Sequence, residues 1–198
     1  MAATILVVVI GVNVADAAVP LPRNLAPVDD PAVPDASFPV DPDAPAGTLS
    51  PIEPGPIRQG ATLDVGLGYT IRVPAGWSVV SQEDNAMVLQ KGAALLVVEA
   101  VASDDSPEDL ATWYRDAWFA DGGFSGGEPE SRSVGEGIPA AQLDYTGAFD
   151  GTTIDGRIVT ASEAGAGLLV NVFGPAGTLP EAAADLESIL GSVRMDGG

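Results

Sequence analysis

Residues Ala93–Trp118 read AALLVVEAVASDDSPEDLATWYRDAW, and this stretch decides the fold because a strand pattern changes to a helix pattern within it. Ala93–Ala102 is almost continuously apolar, which is typical of a central strand covered on both faces. Ser106 is a suitable N-cap, Pro107 suits the first turn, and Asp109 completes an S-x-x-D capping pattern. The helix that follows has one apolar stripe at helical spacing, predicted to face the core: Leu110, Trp113, Tyr114, Ala117 and Trp118.

Shorter strands are predicted on both sides of this stretch. They are a short strand after Gly68, then Ser78–Ser81, Ala86–Gln90, Ala141–Ala148, Thr152–Ser162 and Leu168–Phe173. Tight turns such as Asp150-Gly151 join neighbouring strands, which favours antiparallel pairing, and a second helix is predicted from about Thr178 to Gly191. The sequence therefore predicts an α+β fold, with an antiparallel sheet flanked by two amphipathic helices in a helix–sheet–helix sandwich.

Three unlike parts follow one another along the chain. We expect a signal peptide or membrane anchor at residues 1–19, a proline-rich, acidic and disordered linker at 20–59, and a globular domain at 60–196. The apolar run Thr4–Val12 and the match Ala15-Asp16-Ala17 fit a cleavable signal, whereas residues 2–19 approach the roughly 20 apolar residues of a spanning helix. Both interpretations stay open. The basic flank expected of either is missing, which suggests either a native start further upstream or that the α-amino group alone provides the charge.

The absence of two residue types excludes many classes of enzyme. The chain has no histidine and no cysteine, which excludes Ser-His-Asp and Cys-His catalysis, the usual zinc sites and thiol redox chemistry. We therefore expect a protein that is not an enzyme and that binds no cofactor and no metal. The formal net charge of −20 also disfavours nucleic acid as a partner, because like charges repel.

Three polar residues interrupt otherwise apolar strands and are candidate site residues: Glu99, Arg157 and Asn171. One hypothesis is a polar pocket on the sheet that binds a small ligand. The favoured alternative is a buried Glu99–Arg157 ion pair or simple exposure at the sheet edge, because buried charges are generally paired. Phe119 lies off the apolar stripe, and with Phe124 it is a candidate contact for a partner protein, unless both fold back onto their own domain.

Three segments carry a resemblance to a known family. GYTIRVPAGW at Gly68–Trp77, DLATWYRDAW at Asp109–Trp118 and LESILGSVR at Leu186–Arg194 resemble the PsbP-like fold, most closely its actinobacterial envelope branch with the LpqN-type proteins. The resemblance covers about residues 68–195 and implies a non-enzymatic accessory or binding module outside the cytoplasm, without catalytic residues. LpqN-type proteins carry a lipid on an N-terminal cysteine, so the attachment of this chain must differ.

The function expected from these observations is that of an extracytoplasmic accessory or binding module of the bacterial cell envelope. It would act by protein–protein contact, as an accessory subunit of a membrane complex, with a protein partner in or near the membrane. It would be anchored by its N-terminal segment, or secreted after cleavage of that segment. The alternative is a small-molecule or lipid binder with a cavity between sheet and helix, and a hydrolase that uses carboxylates alone is the least favoured class.

Overall fold

The computed structural model describes residues 55–58, 60–83, 85–119, 123–149 and 151–195. The predicted signal or anchor at 1–19, and the predicted linker apart from 55–58, lie outside these residues. The helices are α1 (Pro107–Trp118) and α2 (Leu179–Gly191). The strands, numbered in chain order, are β1 (Gly55–Pro56), β2 (Thr62–Gly66), β3 (Tyr69–Arg72), β4 (Ser78–Glu83), β5 (Ala86–Lys91), β6 (Ala94–Ala102), β7 (Phe124–Gly126), β8 (Glu130–Val134), β9 (Ile138–Phe149), β10 (Thr152–Glu163), β11 (Ala166–Pro175) and β12 (Arg194–Met195).

The described strands form two sheets. The larger has the order β1-β4-β5-β6-β11-β10-β9-β7, with β8 also paired to β9, and the smaller has the order β12-β3-β2. The strand pairs are antiparallel, as short turns between consecutive strands predict. The predicted α+β class with a mostly antiparallel sheet and two helices is therefore confirmed. The larger sheet also begins inside the predicted linker, because Gly55 and Pro56 pair with Val79 and Ser78.

Two hydrophobic clusters lie on opposite faces of the larger sheet. Alternation along β11 shows this, since Leu168 and Val170 belong to one cluster and Leu169 to the other. The larger core joins the sheet to α2 and to the three-stranded sheet. The smaller core joins the sheet to α1, which packs against β9, β10 and β11. Its buried members are Leu110, Ala111, Tyr114, Ala141, Leu143, Tyr145, Ile158 and Leu169.

The start of α1 agrees with its sequence pattern, but its predicted apolar stripe is partly wrong. Ser106 caps the helix by accepting a hydrogen bond from the Asp109 N–H at 3.1 Å. Trp113, expected in the core, is 38% exposed, and Ala117 is exposed as well. Ala111 is fully buried in their place. The small Ala111 side chain lets the helix approach the sheet closely, and this rotation turns Trp113 outward.

The prediction for β6 is wrong in one respect. The strand lies inside the sheet, between β5 and β11, yet only one of its faces is fully covered. Leu96 and Val98 are fully buried in the larger core, whereas Leu95, Val97 and Glu99 on the other face are half-buried. The cause is the position of α1, which lies over β9–β11 and leaves β6 beside it.

Candidate functional site

The half-covered side of β6 continues onto β11 and forms one surface. Its residues are Leu95, Val97, Glu99, Asn171 and Phe173, and we refer to them as the β6–β11 face. The strand register places Leu95 opposite Phe173, Val97 opposite Asn171, and Glu99 opposite Leu169. Directly opposed residues of an antiparallel pair share a face, and Leu169 belongs to the smaller core. The β6–β11 face therefore lies on the same side of the sheet as α1.

Asn171 is the most deeply buried polar residue of this face. Its side chain is 1% exposed, and its Oδ1 accepts a hydrogen bond from the Tyr145 hydroxyl at 3.0 Å. The other amide atom, Nδ2, is also buried, and the Asn171 side chain hydrogen-bonds Tyr114 of α1. Asn171 therefore lies between two tyrosine side chains of the smaller core.

Tyr145 reaches Asn171 by crossing the strand that separates them. Tyr145 lies opposite Gly156 on β10, and Gly156 in turn lies opposite Phe173 on β11. A Cβ atom placed on Gly156 would collide with the ring and hydroxyl of Tyr145. Position 156 must therefore be glycine for the tyrosine ring to lie across β10 and hold the Asn171 amide.

Glu99 places a carboxyl group on the same face. Burial raises the pKa of Glu99 above its ordinary value. Tyr114 of α1 links Glu99 to Asn171 electrostatically. The pKa of Tyr114 is raised to about 12, mainly by burial and further by the charge of Glu99, whereas the hydrogen bond from the Asn171 side chain lowers it. Glu99, Asn171 and Tyr114 thus form one polar group at the edge of α1.

The structure does not bring Arg157 to this group. Arg157 lies opposite Val172, which belongs to the larger core, so its side chain is on the other face of the sheet. There it binds Asp144 through two hydrogen bonds, Nε to Oδ1 at 2.5 Å and Nη2 to Oδ2 at 2.9 Å. This pairing raises the pKa of Arg157. The considered Glu99–Arg157 ion pair is therefore not formed, because the strand register places the two residues on opposite faces.

Phe119 and Phe124 form an aromatic group with Tyr145. The two phenylalanine rings stack with centroids 5.7 Å apart, and Tyr145 meets them edge-on at 5.3 Å from Phe119 and 5.9 Å from Phe124. Both phenylalanines are half-buried and pack against the smaller core. One consequence is structural, because these contacts hold the ring whose hydroxyl binds Asn171. Their contact with a partner protein stays a prediction.

The outer side of α1 carries an exposed aromatic residue that the sequence pattern assigned to the core. Trp113 is 38% exposed, and Asp109 and Asp116, one turn away on either side, are exposed too. An alternative apolar spacing was present in the sequence, since Leu110, Ala111 and Tyr114 also fall on one helical face. The larger residues Trp113 and Trp118 obscured it.

These elements form an α+β fold that resembles the PsbP-like fold, as the sequence resemblance implies. Among solved structures, the chain is similar to cyanobacterial PsbP (CyanoP) from Synechocystis sp. PCC 6803, with a TM-score of 0.53 and 12% identity over 71% of this chain and 95% of that one. It is similar to a crystal structure from Bacteroides thetaiotaomicron, with a TM-score of 0.52 and 12% identity over 71% of this chain. The chain spans about half the length of that protein, 50%. A further likeness is to LpqN, involved in cell envelope biogenesis of Mycobacterium tuberculosis, with a TM-score of 0.49 and 15% identity over 73% of this chain and 91% of that one.

These likenesses concern the fold alone. No family model and no curated protein matches the chain. In the part of the chain that the structure describes, neither helix is long and apolar enough to cross a membrane.

Proposed function

We propose that this chain is a non-enzymatic binding module of the bacterial cell envelope that acts outside the cytoplasm by protein–protein contact. The single observation that carries the proposal is the exposed Trp113 on the outer side of α1. Tryptophan is enriched among the residues that dominate binding energy at protein interfaces. An exposed tryptophan on a regular helix offers a rigid apolar anchor that a partner can bury.

The charges around Trp113 indicate the kind of partner. Asp109 and Asp116 are exposed one turn to either side of it, and the whole chain has a net charge of −20. Acidic groups around an apolar anchor favour a partner with an apolar pocket and a basic rim, because complementary charge speeds encounter and fixes orientation. Phe119 and Phe124 lie beyond the C-terminal end of α1, and we include them in the proposed contact surface as half-buried members.

The finer parts of the proposal concern architecture and location. The two cores, one shared with each helix, support a helix–sheet–helix sandwich. The apolar residues of segment 1–19 support export, either with cleavage or with retention as an anchor, and the proline-rich stretch after it suits a spacer. The anchored form would serve as an accessory subunit of a membrane complex.

The test combines the location of the protein with its contacts. The mass of the mature N-terminus, measured in membrane and secreted fractions, distinguishes an anchored from a released form. A photo-crosslinking aromatic amino acid placed at position 113 in living cells should give a defined crosslinked product. The same amino acid at the exposed Glu136, in the turn between β8 and β9, is the matched control. Identical products from both positions, or none from position 113, would contradict contact through α1.

A second candidate function is the binding of a small molecule on the β6–β11 face. The observation that favours it is the polar group that Glu99, Asn171 and Tyr114 form on this otherwise apolar face. Protein contact through Trp113 does not account for this group, since α1 turns Trp113 away from the sheet.

A further inference from the structure

We infer that residues 44–52, just upstream of β1, fold back over the α1 side of β4, β5 and β6 and cover the apolar side chains of β6. We refer to this part of the larger sheet as the open half. The segment reads APAGTLSPI and has no charged residue, although Asp43 and Glu53 border it in a chain with a net charge of −20. The inference goes beyond the contact through Trp113, and a ligand on the β6–β11 face would have to displace the segment.

The open half is the part of the larger sheet beside α1 rather than beneath it. Leu95 and Val97 of β6 are half-buried and pack against neither hydrophobic core. Val97 lies opposite Val88 of β5, which belongs to neither core either. The reverse side of these strands is occupied, because β2 contacts both β5 and β6 there. A segment that returns over β4 can therefore cover only the side on which α1 lies.

The pairing of β1 directs the upstream chain toward this surface. β1 pairs with the outer edge of β4, with Gly55 opposite Val79. Continued upstream in the same antiparallel register, residue 53 would lie beside Ser81. Ser81 belongs to a row of side chains that runs across β5 to Val97. The chain upstream of β1 would therefore leave the edge of the sheet at the row that crosses the open half.

The width of the open half matches the reach of the segment. Neighbouring strands lie about 4.8 Å apart, so the three spacings from β1 to β6 amount to about 14 Å. An extended chain covers about 3.3 Å per residue, so the four residues from 53 to 49 span about 13 Å. Leu49 would then lie over Val97, and Ile52 would lie nearer the edge, over β4 and β5.

Charge and tethering favour this segment over other occupants. Glu99 lies in the open half, so an acidic segment would be repelled, whereas residues 44–52 are uncharged. A second copy of the chain would bring another net charge of −20 to the contact. The segment is tethered beside the surface, so its effective concentration exceeds that of a free partner. Pro45 and Pro51 have a fixed φ, which lowers the conformational entropy lost on docking.

The experiment compares the methyl NMR spectrum of the full chain with that of its Leu49→Asp/Ile52→Asp variant, in which the added charges should undock the segment. We expect the methyl resonances of Leu95 and Val97 to shift. Those of Leu96 and Val98, which face the larger core from the same strand, should stay in place.

The matched control is Val28→Asp/Val33→Asp, which adds the same charges farther upstream. It should leave the resonances of all four β6 residues unchanged. Unchanged Leu95 and Val97 resonances in Leu49→Asp/Ile52→Asp, or an equal shift in the control, would overturn the inference.

A disulfide test separates docking within one chain from docking between two chains. The chain has no cysteine, so Leu49→Cys/Val97→Cys introduces a single pair. We expect a disulfide within the monomer that forms about tenfold faster than in the control Val28→Cys/Val97→Cys, because docking raises the effective concentration of residue 49. Disulfide-linked dimers, or equal rates for the two pairs, would overturn the inference. Trp113→Ala should change neither rate, so this inference and the α1 contact can fail separately.

Discussion

Gly156→Ala tests the central arrangement of the site, the tyrosine ring that crosses β10. The added methyl group would collide with the ring and hydroxyl of Tyr145. Overpacking of a core costs about 1–3 kcal/mol. Displacing the hydroxyl also leaves Asn171 Oδ1 buried without a donor, which costs about 1–3 kcal/mol more. We therefore expect the free energy of unfolding to fall by about 2–6 kcal/mol, measured by urea denaturation with tryptophan fluorescence.

The control separates this collision from the general effect of replacing a glycine. Gly127→Ala adds a methyl group that meets no atom within 4 Å, so its effect should stay within about 0.5 kcal/mol. In a Tyr145→Ala background the collision partner is absent, and Gly156→Ala should then cost less than about 1 kcal/mol. An equal cost of Gly156→Ala with and without the Tyr145 ring would refute the reasoning.

Two further predictions concern the polar groups of the β6–β11 face. Tyr145→Phe should lower the free energy of unfolding by about 1–3 kcal/mol, because it leaves Asn171 Oδ1 without a donor. Adding Asn171→Leu should restore most of that loss, since removal of both partners is nearly neutral. Urea denaturation of the single and double variants checks this, and a double variant less stable than Tyr145→Phe would contradict it. Because burial raises the pKa of Glu99 in the folded chain, its ionisation opposes folding above its ordinary value of 4.5. Glu99→Gln should therefore be more stable than the parent chain at pH 7, and this difference in stability should shrink as the pH falls toward and below 4.5. A difference in stability that grows on acidification would mean that folding lowers the pKa of Glu99.

Local patterns in the sequence predict much of this fold because their causes are local. The cap at Ser106 depends on residues within one turn, and the structure contains it. The tight turns between β9, β10 and β11 likewise follow from neighbouring residues. β8 (Glu130–Val134) was missed because only the last of its residues is buried, so it lacks an alternating apolar pattern.

The site was less predictable because it depends on which residues of distant strands face one another. Glu99 and Asn171 were both identified as unusual, and both lie on one face. Arg157 was identified for the same reason, yet the register of β10 against β11 places it on the other face. The rotation of α1, which exposes Trp113 and leaves β6 half-covered, is set by tertiary packing on β9–β11. No local pattern encodes that register or that rotation.

The contacts of the three-stranded sheet have a consequence for folding kinetics. β3 pairs with β12, and hydrogen bonds join Tyr69 to Ala166, Arg72 to Ser192 and Trp77 to Asp185, across separations of 97, 120 and 108 residues. Contacts of such long range close large loops before they contribute stability, which slows folding to about milliseconds to seconds. The β2–β3 hairpin therefore completes its long-range contacts only after α2 has been synthesised. When the chain is made N-terminus first, the larger core closes only once α2 and β12 are available.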